Sequence, residues 1–242
     1  MRRRLLKNLP KLSKRSKFVL STFVILAQLL VMLLFSPDPK IEVTAAFFVH
    51  LSLLVASSAV LIIYSLWEDI RQKQKIIPII LLQPVFFTLV CALFYYVLPA
   101  RWLTRLVMFG IFSFGFYSML LVQNIYVISV VRSIKLLQAA KTVGFLAAFF
   151  SGLGYYYLVF SFHLPLPVIS LSIFIISFLL ITPTIWSVLL KNKLERTELI
   201  HILILSIVLT EIATFLTFWP LFFDDEPLLY FLVSFFLSIC FY

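Results

Sequence analysis

The sequence predicts an all-α, polytopic transmembrane helix bundle with seven spans, an eighth short or truncated C-terminal apolar helix, and a cytoplasmic N-terminus. Three observations predict it. Of the 242 residues, 63% are hydrophobic and only 12% are charged, whereas a soluble domain has about 45–50% apolar and about 25% charged residues. That balance excludes a water-soluble fold, and it is the reverse of a disordered composition. The apolar residues also fall into charge-free runs that match the roughly 20 helical residues needed to cross hydrocarbon about 30 Å thick. Finally, the basic residues gather in alternate connections between those runs.

Residues 1–17 form a basic arm holding Arg2, Arg3, Arg4, Lys7, Lys11, Lys14, Arg15 and Lys17. Leu5, Leu6, Leu9 and Leu12 recur at helical spacing, which suits an amphipathic helix lying on anionic lipid headgroups. Pro10 interrupts that pattern, so a disordered basic tail fits equally well. The arm does not read as a cleavable signal. The following run has 18 apolar-rich residues and no A-x-A site after it, against about 7–15 residues in a signal core.

The spans expected from there on are 18–35, 43–67, 76–98, 103–131, 142–162, 168–190 and 199–219, all in one domain over 18–242. Nearly continuous apolar runs such as Ile169–Ile181 do not show the alternation of barrel strands. The 103–131 run is long and must tilt or project. Pro84 and Pro183 lie inside the third and sixth spans, where each removes a helix hydrogen bond and is expected to bend its helix. The eighth run, 228–242, reaches only about 22 Å at 1.5 Å per residue. It reads as a half-span or as a sequence stopped before the natural end, with the second preferred.

Orientation follows from Lys and Arg near span ends. With the arm inside, the inner connections hold Arg71, Lys73 and Lys75, then Arg132, Lys135 and Lys141, then Lys191, Lys193 and Arg196. The outer ones hold only Lys40, Arg101 and Arg105, so 17 basic residues lie inside and 3 outside. Trp67, Trp102, Trp186 and Trp219 all fall near span ends, the headgroup level that Trp prefers. Segment 132–141 lacks turn residues and is expected to continue the fourth helix or lie along the interface with Ile134, Leu137 and Ala140 toward lipid.

The connections are too short for a soluble catalytic domain. His50, His163 and His201 lack metal-ligand spacing, and no phosphate-binding or nucleophile motif occurs, so no catalytic, metal or cofactor residue is assigned. Cys91 and Cys240 imply no disulfide framework. Gly144, Ala148 and Gly152 form a small-residue stripe that permits close helix approach.

Glu211 is the one acidic residue deep within a span, where such a group is costly and by default a functional hypothesis. Turn counting puts His50 at a similar depth, and Thr210 and Thr214 beside Glu211. The structural reading is a protonated acid bonded to Thr or His that pins two helices, and the functional one is proton or ion handling. Gln83, Gln123 and Asn124 form a second polar layer nearer the inner face, with Gln28 near the middle of the first span.

Three roles follow as expectations. The first is a non-enzymatic subunit or assembly factor of a membrane complex. The second is a small proton-coupled transporter or channel using Glu211. The third is an intramembrane lipid-modifying enzyme. The expected partners are the bilayer, anionic headgroups at the cytoplasmic face, and other membrane subunits or further copies, with no nucleic acid. The expected location is a bacterial inner membrane.

Overall fold

In lipid the backbone has no water to bond, so each span must satisfy its own N–H and C=O groups, and a helix does this within one segment. The computed structural model describes residues 13–35, 45–71, 76–97, 102–131, 134–162, 165–191 and 193–218. They form seven α-helices: α1 Lys14–Phe35, α2 Ala45–Ile70, α3 Ile77–Val97, α4 Trp102–Ser129, α5 Leu137–Ser161, α6 Leu166–Leu189 and α7 Arg196–Phe218. No strand occurs among the described residues, and all seven helices are long and apolar enough to span a membrane. The chain is a multi-pass membrane protein. The eighth apolar run and most of the basic arm lie outside the described residues.

α3 is the shared wall of the bundle and packs against α2, α4, α5 and α6. Its buried residues serve two apolar clusters. Ile80 and Phe87 join Ile25, Leu54, Ile62 and Phe116 of α1, α2 and α4. Phe86 and Val90 join Tyr156 of α5, Ile173 of α6 and Ala213 of α7. Half of the apolar window of α3 is buried, against 17% for α7, which packs on α6.

Both internal prolines sit in uninterrupted helices. Around Pro183, the Thr182 and Thr184 hydroxyls donate to the Phe178 and Leu180 carbonyls at 2.6 and 2.8 Å, flanking the carbonyl that Pro183 cannot bond. The small-residue stripe meets neighbours within this chain. Gly144 faces Tyr126 and Val122 of α4, Gly152 faces Leu180 of α6, and Gly154 faces Val90 of α3.

Two expectations are corrected. The fourth helix does not run on through 132–141: it ends at Ser129, a turn follows, and α5 begins at Leu137. Ala140 is buried against α4 rather than turned to lipid, because the Tyr126 hydroxyl donates to its carbonyl. Trp186 is not a headgroup anchor. It is 1% exposed, stands edge-on to Tyr126, and donates its indole N–H to the Lys191 carbonyl at 2.9 Å. Trp67, half exposed at the end of α2, does fit the interfacial role.

Candidate functional site

Polar groups in an apolar bundle must find partners, so tracing their bonds separates those that hold the fold from those left for another purpose. The α1–α2 interface carries four cross-helix links. Lys14 pairs with Asp69 at 2.8 Å and Lys17 with Glu68 at 2.7 Å. The buried Ser21 and Ser65 hydroxyls lie 2.7 Å apart, and Ser57 donates to Gln28 Oε1. Antiparallel neighbours place the start of α1 and the end of α2 at one level, which brings these ion pairs together. Only Gln28 was singled out as a sequence candidate; the serines carried no charge to mark them, and Glu68 and Asp69 lie just past the charge-free run 43–67.

The structure brings together two of the three residues of the second polar layer. Gln123 of α4 donates to Gln83 Oε1 of α3 at 3.2 Å, and Gln83 donates to the Gly144 carbonyl of α5. Three helices are thus tied by side chains that are 1% and 3% exposed. Gly144 also leaves room for Tyr126 of α4, whose hydroxyl a Cβ there would strike. Asn124 does not join: its Oδ1, like Gln123 Oε1 and Ser129 Oγ, is buried without a hydrogen-bond partner among the described residues. A further link joins α5 to α6, where the Tyr156 hydroxyl meets Ser177 Oγ at 2.5 Å.

The layer around Glu211 differs in kind. Glu211 is exposed on α7 and lines a groove of about 380 Å³ with Phe174 of α6 and Ile207, Thr210, Thr214 and Phe215 of α7. Thr210 and Thr214 donate to carbonyls of their own helix, those of Ser206 and Thr210, both at 2.7 Å. Thr214 Oγ1 also lies 3.1 Å from Ser170 Oγ of α6, which fixes the register of the two helices. Glu211 itself has no hydrogen bond or ion pair among the described residues. His50 stands on α2, which packs against α1, α3 and α4, so the path of contacts from His50 to Glu211 runs through α3 and α6. Turn counting set them at similar depth, but they stand on separate helix pairs.

No group of three or more His, Cys, Asp or Glu able to hold a metal stands together among the described residues. Amides and hydroxyls of Gln28, Ser57, Gln83, Gln123, Tyr156 and Ser177 bridge helices. Comparison with protein families, with curated proteins and with solved structures finds no match for this chain.

Proposed function

We propose that the chain is a non-enzymatic subunit or assembly factor of a larger membrane complex, seated in a bacterial inner membrane with its N-terminus in the cytoplasm. One observation carries this reading: each of α1 to α6 is tied to a neighbour by a cross-helix hydrogen bond of its serine, glutamine or tyrosine side chains, while Glu211 faces outward from the least covered helix. The excess of Lys and Arg on alternate connections supports the orientation, and the basic arm supports contact with anionic headgroups.

Purification in mild detergent, with mass measurement and identification of co-purifying chains, tests it. A stoichiometric partner that stays bound supports the subunit reading. A solitary protein that carries proton-dependent flux in liposomes, abolished by Glu211→Gln, would replace it with the transporter reading. A solitary protein that turns over lipid would replace it with the enzymatic one.

A further inference from the structure

We infer that the outward face of α7 around Glu211 is a docking site for a transmembrane helix of a different chain, one that presents a lysine or arginine at the depth of Glu211. The inference rests on the subunit reading and names the chemistry of the partner.

Depth comes first. The Ser170–Thr214 contact lies four residues into α6, and Glu211 is three residues deeper along antiparallel α7. At 1.5 Å per residue that is about 10 Å below the outer end of α6, inside hydrocarbon. A carboxyl group there needs a donor or a cation. The threonines beside it have committed their protons to backbone carbonyls.

The two helices that line the groove have no cation to offer at this depth. α6 contains no Lys, Arg or His, and the only one in α5 is Lys141, at the opposite end. Nor does any Lys, Arg or His occur among residues 202–242. A second copy docking through the same face would set carboxyl against carboxyl, which disfavours the charged form of both. A different helix with a basic residue completes the site. The groove suits it, because Phe174, Ile207 and Phe215 offer apolar walls to the methylene stem while the charged head reaches Glu211.

The test uses purified full-length protein in phosphatidylcholine vesicles with two dye-labelled synthetic leucine helices, identical except for one lysine placed at the depth of Glu211. Energy transfer reports association. The lysine helix is expected to bind about tenfold more tightly than the all-leucine one, the effect of a single buried polar contact between membrane helices. Glu211→Gln should reduce that preference to about twofold or less. Ile207→Trp keeps the carboxyl but fills the groove, and should weaken lysine-helix binding as well. Equal association of the two helices, or a tenfold preference that survives Glu211→Gln, overturns the inference. So does transfer between two differently labelled copies of the protein that Glu211→Gln abolishes, since the face would then be homotypic. Co-purifying subunits that remain bound to Glu211→Gln would leave the subunit reading standing and remove this site alone.

Discussion

A methyl group on Gly144 would lie 2.4 Å from the Tyr126 hydroxyl, which itself donates to the Ala140 carbonyl at 3.1 Å one turn earlier on α5. Gly144→Ala must therefore push α5 off α4 or displace the ring, at a cost of about 1–3 kcal/mol. Tyr126→Phe removes the atom that clashes. In a double-mutant cycle of unfolding in detergent, Gly144→Ala should cost less in the Tyr126→Phe background.

The Gln123–Gln83–Gly144 relay gives an asymmetric prediction. Gln83→Leu strands the Gln123 amide, so it should destabilise by about 1–3 kcal/mol. Gln83→Leu combined with Gln123→Leu removes both side chains and should be less damaging than the first change alone. Denaturant midpoints of the three proteins decide this.

The Lys14–Asp69 and Lys17–Glu68 pairs put the start of α1 and the end of α2 on one side of the membrane. A single cysteine at Ser13 and one at Arg71 should react with an impermeant thiol reagent in inverted vesicles and resist it in intact cells. Asp69→Asn should lower stability by less than about 1 kcal/mol, and by less still in high salt, because Lys14 is 42% exposed.

Lys191, on the connection between α6 and α7, is raised above its ordinary 10.5 by hydrogen bonds to Glu198 and Glu195. A raised ammonium contributes stability that is fully present below 10.5 and disappears as pH climbs through the higher folded value. In a lysine-selective NMR titration Lys191 should deprotonate later than in a Glu195→Gln, Glu198→Gln variant.

Much of this architecture could be read from the residues. The seven charge-free runs became seven helices, because hydrocarbon leaves a backbone few other choices. Boundaries moved where span ends were polar: α1 starts at Lys14 and α2 runs to Ile70, since ion pairs between neighbours let charged residues extend a helix past the apolar run. Trp186 lies near its span end as read, but its burial was not legible. Its rank as an interfacial residue says nothing of Tyr126 waiting beside it. Of the candidate residues, Gln83 and Gln123 pair across α3 and α4, and Glu211 stands beside Thr210 and Thr214. Turn counting gives depth but not azimuth, so it could not tell that His50 belongs to another helix pair.

The zipper between α1 and α2 also sets a schedule for biogenesis. Asp69 is translated 55 residues after Lys14, so the first hairpin cannot latch until its second limb has emerged from the ribosome. Until then Ser21 and two ammonium groups of the leading helix lack the partners that the second limb brings.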